Sequence, residues 1–228
     1  MELIIIRHGE TDANTKGALL GWTDAALNEC GIEQAKTASK KLRELKITNI
    51  NTIFSSPLKR AAQTAEIISN ELGHKNIIYS ENLKERNFGN WDGLTIDEIK
   101  QLHENEYRLW MEDINYCMKN GEEVCNINKR VKVFLEDITN IPNTWNISNE
   151  SFQTLQKVTK VGKETKAAKT FDEVAETTYI IVTHLGCIRY MIPFLLGMPD
   201  EYSWRFRVDN GSLVRVCINR EGYAYLKI

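Results

Sequence analysis

The sequence predicts an α/β fold, in which helices cover both faces of a mainly parallel central sheet to give a three-layer α/β/α sandwich. Two apolar runs rich in β-branched residues, Leu3–Ile6 and Tyr179–Val182, indicate strands buried on both faces, as is typical of parallel sheets. Segments of helical periodicity alternate with short strands between these runs. With 228 residues, 42% hydrophobic and 26% charged, the chain suits a single domain over residues 1–228.

The elements after the first strand can be assigned in order. Asn28 is the predicted N-cap of a helix over 29–45, where apolar residues recur at helical spacing. A short strand is predicted over 52–54. After it, Ser56-Pro57 supplies a capping side chain and a proline suited to the first helical position, which predicts a helix that runs to about residue 72.

A third strand, over 77–79, leads into a loop that mixes charged, aromatic and glycine residues. Thr95 and Glu98 then form a capping box that predicts the start of the next helix. Helical periodicity continues from about 96 to 140 and is interrupted near Asn120-Gly121.

The stretch 143–178 departs from this alternation, and we interpret it as an insertion within the domain. A segment of this length is expected to be either a lid or specificity element or an inert insertion. The strand over 179–182 then precedes a helix over about 187–196. Two further strands are predicted over 212–218 and 223–228.

Charge and cysteine content argue against several classes of protein. A net charge of -2 gives no general affinity for polyanions, so we expect no nucleic-acid partner. The apolar stretches are far shorter than a membrane span and no targeting segment is expected, which favours a cytoplasmic protein without a membrane partner. Five scattered cysteines without a CxxC pair indicate reduced thiols, and the four histidines lack metal-ligand spacing. We therefore expect no metal site and no cofactor.

Four predicted strands are each followed by side chains that can handle phosphate. Arg7-His8 follows the first strand, and Arg60 lies in the first turn of the helix after the second. Glu85 and His184 follow the third and fourth strands. If these strands are parallel, their carboxyl ends share one edge of the sheet and the side chains converge there.

Such a cleft suits phosphoryl transfer through an enzyme-bound intermediate. Arginine forks bind a phosphate in bidentate fashion, and neighbouring cations oppose protonation of a histidine, whose ring nitrogen can then attack phosphorus. A glutamic acid can protonate the leaving alkoxide, and its carboxylate can then activate water. Fixed cations already stabilise the transferring group, so no metal is needed. We expect Gly9 to let the backbone approach the ligand closely.

The motifs around these residues resemble those of the histidine phosphatase superfamily, the phosphoglycerate mutase-like family. Apart from about 145–175, the matching segments span the chain in the family's order. They are Arg7-His8-Gly9-Glu10-Thr11 with Asn14, Gly21-Trp22-Thr23-Asp24, Ser55-Ser56-Pro57-Leu58-Lys59-Arg60-Ala61, Gln63-Thr64-Ala65, Glu85-Arg86-Asn87-Phe88-Gly89 and Thr183-His184. The resemblance implies a metal-independent phosphomonoesterase that forms a phosphohistidine intermediate and acts on small phosphomonoesters.

The resemblance also implies roles for single residues. His8 would be the phosphorylated nucleophile and Glu85 the proton donor. The phosphate pocket would be formed by Arg7, Arg60 and His184, with Asn14 at its edge. Leu185 replaces the first of two glycines that usually follow the second histidine in the family, while Gly186 keeps the second.

Within the family, the loop Phe88–Gly93 is more similar to small phosphatases than to mutases. The subfamily that the chain most resembles is that of the α-ribazole-5′-phosphate phosphatases of cobalamin assembly. The alternatives are a broad-specificity or sugar phosphatase, a phosphoglycerate-type mutase and a non-catalytic protein that binds phosphorylated ligands. The oligomeric state is left open.

Selectivity would come from aromatic side chains around the leaving group. The candidates are Trp22, Phe88, Trp91, Trp110 and Trp204, with core packing favoured for Trp110 and Trp204. Stacking on such a rim would favour a nucleoside-like 5′-monophosphate, α-ribazole 5′-phosphate being the best single candidate. A bisphosphorylated ligand would instead use rim cations, for which the candidates are Lys59, Lys84 and Arg86.

Overall fold

The computed structural model describes residues 1–47, 49–113, 115–139 and 177–227, and a six-stranded sheet lies at its centre. In chain order the strands are β1 (Glu2–Arg7), β2 (Ile50–Ser55), β3 (Ile77–Tyr79), β4 (Thr178–Thr183), β5 (Leu213–Ile218) and β6 (Ala224–Lys227). Across the sheet their order is β3-β2-β4-β1-β5-β6.

Four neighbouring strands, β3, β2, β4 and β1, run parallel to one another. β5 pairs with β1, and β6 with β5, in antiparallel register. In the centre, Ile5 of β1 lies opposite Ile181 of β4 on one side and Val214 of β5 on the other. The predicted, mainly parallel sheet is confirmed, and the carboxyl ends of the four parallel strands share one edge.

The helices cover both faces of this sheet. Those in the described residues are α1 (Asp12–Thr15), α2 (Glu29–Glu44), α3 (Lys59–Leu72), α4 (Ile96–Leu102), α5 (Glu104–Glu112), α6 (Val124–Thr139) and α7 (Leu185–Leu195). Short 3₁₀ helices lie at Glu81–Leu83, Gly89–Trp91 and Asp200–Arg205. As predicted, Asn28 caps α2, since its side chain accepts a hydrogen bond from the backbone N–H of Gly31 at 2.8 Å.

The alternation of side chains along β1 divides the core into two layers. Ile4 and Ile6 pack in a cluster with residues of α2 and α3, namely Ala38, Leu42, Ala61, Ala65 and Ile68. Leu3 and Ile5 pack on the other face with residues of α6 and α7, among them Ile127, Val131, Phe134, Ile188 and Met191. This arrangement is the predicted three-layer α/β/α sandwich.

The predicted start of α3 is wrong by two residues. The helix begins at Lys59 with Leu58 as its N-cap, and the backbone N–H of Lys59 donates to the carboxylate of Asp24 at 2.6 Å. Ser56 does not cap the helix: its hydroxyl oxygen accepts the backbone N–H of Leu58, the residue before the helix, at 3.3 Å and lies 2.8 Å from a ring nitrogen of His184. A distant carboxylate therefore replaces the local capping side chain that the sequence indicated.

The helical stretch predicted over 96–140 is divided into three helices. α4 ends at Leu102, and the chain turns at His103 before α5 begins. The next helix, α6, begins at Val124, after Asn120 has adopted a left-handed φ of 61°. The break near Asn120-Gly121 is thus confirmed, whereas the additional turn at His103 was not predicted.

The predicted insertion over 143–178 lies outside the described residues, except for Thr177 and Thr178. Thr178 is already the first residue of β4. Within the described ranges, no helix combines the length and the apolar character needed to cross a membrane.

Candidate active site

The structure brings five predicted side chains to the same edge of the sheet. Arg7 ends β1 and His8 follows it, Arg60 lies in the first turn of α3, and Glu85 and His184 follow β3 and β4. The ring centroids of His8 and His184 are 5.0 Å apart. Apart from Arg7, which is half-buried, these residues are buried and form an enclosed cluster rich in cations.

The hydrogen bond of His8 determines which of its ring nitrogens can react. Nδ1 lies 2.7 Å from the carbonyl oxygen of Gly9. Because a carbonyl oxygen can only accept, Nδ1 carries the proton and Nε2 carries the lone pair. Burial, and then the charges of Arg60 and Arg7, hold the pKa of His8 well below its ordinary value. The ring is therefore uncharged at neutral pH, with Nε2 able to act as a nucleophile.

Backbone carbonyls hold the guanidinium groups of both arginines. Arg60 donates to the carbonyl oxygens of Gly21 and Thr23 at 2.7 and 3.0 Å, and Arg7 donates to that of Val208 at 2.8 Å. The buried Nε of each arginine has no hydrogen-bond partner among the described residues. A buried N–H without an acceptor is costly, so both groups are suited to bind an anion.

His184 presents a different pair of ring nitrogens. Its Nε2 lies 2.8 Å from the hydroxyl oxygen of Ser56, and its buried Nδ1 has no partner among the described residues. Burial, and then the charges of Arg60 and His8, hold the pKa of His184 well below its ordinary value. His184 is thus a second uncharged imidazole beside His8 at neutral pH.

The carboxylate of Glu85 lies against the N-terminus of α7. One oxygen accepts the backbone N–H of Arg86 at 2.8 Å, and the other accepts that of Gly186 at 3.1 Å. A Cβ atom on Gly186 would overlap the carboxylate of Glu85, so only glycine leaves room for it. The place of the glutamate therefore depends on a glycine about a hundred residues further along the chain.

Leu185 does not disturb this turn. It is the first residue of α7, and its side chain packs against the apolar cluster between the sheet and α6. Gly186, the glycine that remains, provides both the space and the N–H that Glu85 needs. The departure from the family pattern therefore leaves the geometry of the site intact.

Asn14 lies at the side of the cluster, in the short helix α1. Its side-chain oxygen accepts a hydrogen bond from the backbone N–H of Thr11 at 3.1 Å and from the side-chain amide of Asn210 at 3.3 Å. Since the oxygen is engaged, the side-chain amide nitrogen is the group that Asn14 can offer to an anion.

The structure shows a packing reason for glycine at position 9. A Cβ atom at Gly9 would overlap the backbone of Gly31, and one at Gly31 would overlap the backbone of Glu10. Close packing of two backbone segments, the turn after β1 and the start of α2, therefore requires glycine here. Packing within the protein is thus sufficient to require glycine, and close approach of the backbone to a ligand stays a prediction.

Two tryptophans are exposed near the site. Trp22 is 44% exposed, and its indole N–H donates to the carbonyl oxygen of Glu85 at 2.9 Å. The ammonium of Lys84 lies 4.7 Å from the centroid of the Trp22 ring. Trp204 is 38% exposed, and the guanidinium of Arg189 lies 4.6 Å from its ring centroid. The core packing favoured for Trp204 is therefore wrong.

The other aromatic candidates face inward. Trp91 is fully buried, in edge-on contact with Trp110 at 5.8 Å, so its place in a substrate rim is wrong. Trp110 packs against the apolar cluster of Trp91, Ile99 and Met118, which confirms the core packing predicted for it. Phe88 is half-buried against this cluster as well. Trp91 and Trp110 therefore support the loop, while the role of Phe88 in a substrate rim stays a prediction.

Of the three candidate rim cations, two are exposed enough to bind a second phosphate group. Lys59 is exposed, and Lys84 is half-buried with its ammonium 2.7 Å from a carboxylate oxygen of Glu81. Arg86 is buried and donates to the backbone carbonyl oxygens of Tyr116 and Glu122 at 2.8 and 2.9 Å. Arg86 is therefore a structural residue.

Sequence reasoning missed Arg130, which holds the segment that carries Glu85. From α6 it donates to the carbonyl oxygens of Asn82 and Glu85 at 2.8 and 3.0 Å, and it forms a two-bond ion pair with Glu122 at 2.8 and 3.0 Å. One signal was present in the sequence. Arg130 lies within the apolar stripe of its helix, three residues after Ile127.

Within the parts of the chain that the structure describes, no three histidine, cysteine, aspartate or glutamate side chains are grouped so as to hold a metal ion. The group that the pocket suits is instead an anion with several oxygens. It can accept hydrogen bonds from the Nε–H groups of Arg7 and Arg60.

Comparison with known proteins identifies the class. The sequence pattern of the histidine phosphatase superfamily (branch 1) matches residues 3–148 and 142–228. Over its whole length the chain is 27% identical to phosphoserine phosphatase 1 of Hydrogenobacter thermophilus, of which it covers 92%. It is also 28% identical to an adenosylcobalamin/alpha-ribazole phosphatase of Escherichia coli, with 100% of this chain and 95% of that protein covered.

Among solved structures, the alpha-ribazole phosphatase from Shigella flexneri superimposes with a TM-score of 0.75 at 27% identity, covering 100% of this chain and 95% of that one. Together with the site, these matches define a phosphatase, an enzyme that hydrolyses phosphate esters. The chain belongs to the histidine phosphatase superfamily.

Proposed function

We propose that the protein is a metal-independent phosphomonoesterase that forms a phosphohistidine intermediate on His8. The observation that carries the proposal has two parts. Nε2 of His8 has a lone pair, and the buried Nε–H groups of Arg7 and Arg60 have no hydrogen-bond partner among the described residues. The donors suit the phosphate oxygens, and the lone pair suits the phosphorus atom between them.

In the first step, Nε2 of His8 attacks phosphorus and the bond from phosphorus to the leaving oxygen breaks. Glu85 gives its proton to that oxygen, so that an alcohol and not an alkoxide departs. In the second step the carboxylate of Glu85 takes a proton from water, which attacks the phosphohistidine and releases inorganic phosphate and free His8. The groups that hold the phosphate oxygens are Arg7, Arg60 and His184, with the amide of Asn14 at the edge.

The covalent step can be tested by trapping the intermediate. Enzyme quenched with detergent at alkaline pH during turnover should carry phosphate that is labile to acid and stable to alkali, located on His8 by peptide mass spectrometry. The His8→Ala variant should fold normally by circular dichroism, carry no label and have no turnover. A mutase would show the same label but transfer it to an acceptor phosphate ester, and a binding protein would show none. Near-normal turnover in His8→Ala would end the proposal.

The role of Glu85 can be tested with leaving groups of different basicity. Glu85→Gln should slow the hydrolysis of alkyl phosphates far more than that of a nitrophenyl phosphate, whose leaving group hardly needs a proton. Equal slowing of both substrates would remove Glu85 from the acid role.

For the natural substrate we propose a nucleoside-like 5′-monophosphate, with α-ribazole 5′-phosphate as the best single candidate. The full-length similarity to the Escherichia coli and Shigella flexneri phosphatases supports this choice. So do two exposed indoles, Trp22 and Trp204, since exposed aromatic faces can stack on a flat base.

A second candidate is phosphoserine, which is favoured by the similarity to the Hydrogenobacter thermophilus enzyme and by the cations Lys84 and Arg189, which could bind its carboxylate. Catalytic efficiencies for α-ribazole 5′-phosphate, phosphoserine, 3-phosphoglycerate, fructose 2,6-bisphosphate and simple sugar phosphates would decide. If a substrate other than α-ribazole 5′-phosphate wins by more than about tenfold, roughly 1.4 kcal/mol of transition-state binding, the first choice is wrong.

A further inference from the structure

Ser56 lies behind one of the two histidines of the site and has no part in the proposed chemistry. It is fully buried at the end of β2. Its hydroxyl oxygen has two neighbours among the described residues, Nε2 of His184 at 2.8 Å and the backbone N–H of Leu58 at 3.3 Å. The contact joins residues 128 positions apart in the sequence.

The direction of the Ser56–His184 hydrogen bond follows from what each atom can do. The backbone N–H of Leu58 can only donate, so it cannot accept the hydroxyl hydrogen of Ser56. Among the described residues, the acceptor left for that hydrogen is Nε2 of His184. A neutral imidazole that accepts at Nε2 carries its proton at Nδ1.

We propose that Ser56 is a positioning residue that fixes His184 in the Nδ1–H tautomer, so that His184 presents an N–H donor to the bound phosphate. The buried Nδ1, which has no partner among the described residues, is the atom that would make this contact. His8 also carries its proton on Nδ1, but the carbonyl of Gly9 accepts that proton, so the ring nitrogen left for the ligand is Nε2 with its lone pair. In His184 the nitrogen left for the ligand is Nδ1 with its proton. His8 is thus set to attack phosphorus, and His184 to bind a phosphate oxygen.

The contact with phosphate rests on the proposed function, whereas the tautomer of His184 does not. A spectrum of the resting enzyme can therefore disprove the tautomer of His184 without disproving the proposed phosphatase mechanism.

The surroundings of His184 disfavour its charged form, so the assignment concerns only its two neutral tautomers. The ionisable groups that act on it are Arg60 from α3, His8 after β1, Arg130 from α6 and Arg7 from β1. These groups and burial hold the pKa of His184 well below its ordinary value, and a hydroxyl that donates to Nε2 acts in the same direction because it stabilises the neutral ring. Removal of the Ser56 hydroxyl should therefore raise the pKa of His184.

The direct test is the tautomer itself. The chain has four histidines, so long-range proton–nitrogen correlation spectra of ¹⁵N-labelled enzyme are simple to assign with a His184→Gln variant. We expect the Nδ1–H pattern for His184 in the native enzyme and a mixture of tautomers in Ser56→Ala. An Nε2–H pattern in the native enzyme, or a pure Nδ1–H pattern in Ser56→Ala, would overturn the proposal.

The matched control is Ser55→Ala. Ser55 is the neighbouring, equally buried serine, and its hydroxyl donates to the backbone carbonyl of Ser56 at 2.9 Å rather than to a histidine. Ser55→Ala should retain the Nδ1–H pattern of His184, and Ser56→Thr, which keeps a hydroxyl, should restore it. A loss of the pattern in Ser55→Ala as well would show a general packing effect and contradict the proposal.

The functional readout is competitive inhibition by inorganic phosphate. In Ser56→Ala, inhibition should weaken by roughly tenfold at about pH 8, the cost of leaving one buried acceptor without its donor. Ser56→Thr, which keeps the hydroxyl, should restore native inhibition, and Ser55→Ala should leave it unchanged. Native inhibition in Ser56→Ala, or an equal weakening in Ser55→Ala, would reject the assignment.

Discussion

The two ends of the site are built differently. At the end proposed to bind phosphate, His8, Arg60 and His184 are buried, and backbone carbonyls or a buried hydroxyl hold their side chains. At the end proposed for the leaving group, the candidates Trp22 and Trp204 are exposed and contact Lys84 and Arg189 through their ring faces. The sheet edge therefore fixes the chemistry, while the groups suited to select a substrate lie where substitution disturbs little of the fold.

This difference predicts two kinds of variant. Changes at the phosphate end should slow every substrate by the same factor, since every substrate presents the same phosphate. Changes at the leaving-group end should alter the order of substrates. Glu85 lies at the boundary, because its carboxylate contacts α7 and its carbonyl oxygen accepts from Trp22.

The largest effect is expected for Arg60→Lys. Lysine keeps the charge but cannot donate to the carbonyls of Gly21 and Thr23 while also binding phosphate, because it lacks the planar fork. We expect kcat/KM to fall by roughly 100-fold or more for nitrophenyl phosphate and for alkyl phosphates alike. A loss confined to one class of leaving group would contradict the division of the site into two ends.

Gly186→Ala should give a large but selective effect. The added Cβ displaces the carboxylate of Glu85, so hydrolysis of alkyl phosphates should fall by about 100-fold while that of nitrophenyl phosphate changes little. Leu185→Gly is the matched control, since the side chain of Leu185 packs against the apolar cluster between the sheet and α6. Equal slowing of both substrates in Gly186→Ala, or the same selectivity in Leu185→Gly, would refute the boundary role.

Arg130→Met should act mainly on stability. The substitution leaves Glu122 largely buried without its partner and frees the carbonyl of Glu85, which should lower the free energy of unfolding by about 3 kcal/mol in denaturant titrations. Arg130→Met combined with Glu122→Leu should recover much of this loss, because no buried charge is then left alone. Strictly additive losses in the double variant would speak against the ion pair as the cause.

The smallest effect is expected from removal of metals. Prolonged treatment with a strong chelator, followed by assay in metal-free buffer, should leave turnover unchanged, because arginines and histidines provide the positive and donor groups of the pocket. A loss of activity that added divalent metal reverses would mean that the pocket has been misinterpreted.

The sequence predicted the part of the site that depends on local order. Each parallel strand delivers its functional side chain within a few residues of its end, so Arg7, His8 and His184 could be placed once the strands were recognised. Glu85 could be placed in the same way, after β3. The sheet topology then required these ends to meet.

Features that depend on distant contacts could not be predicted in this way. Ser56 was assigned to a helix cap, because a serine before proline has a local explanation and its true partner is 128 residues away. The exposures of Trp91 and Trp204 were misjudged for a similar reason. Which face of an aromatic ring is covered depends on how the loops pack against α5 and α7, and periodicity does not encode that packing.

The position of β1 has a consequence for the synthesis of the chain on the ribosome. Both neighbours of β1 in the sheet, β4 and β5, are encoded at least 170 residues after it. At the usual pace of translation, the interval between Arg7 and Thr178 is roughly 10 to 30 seconds. Throughout that time the apolar run Leu3–Ile6 lacks the strands with which it pairs in the folded protein, so the nascent chain should bind chaperones that recognise exposed apolar segments, and the segment that carries His8 should be assembled among the last parts of the fold.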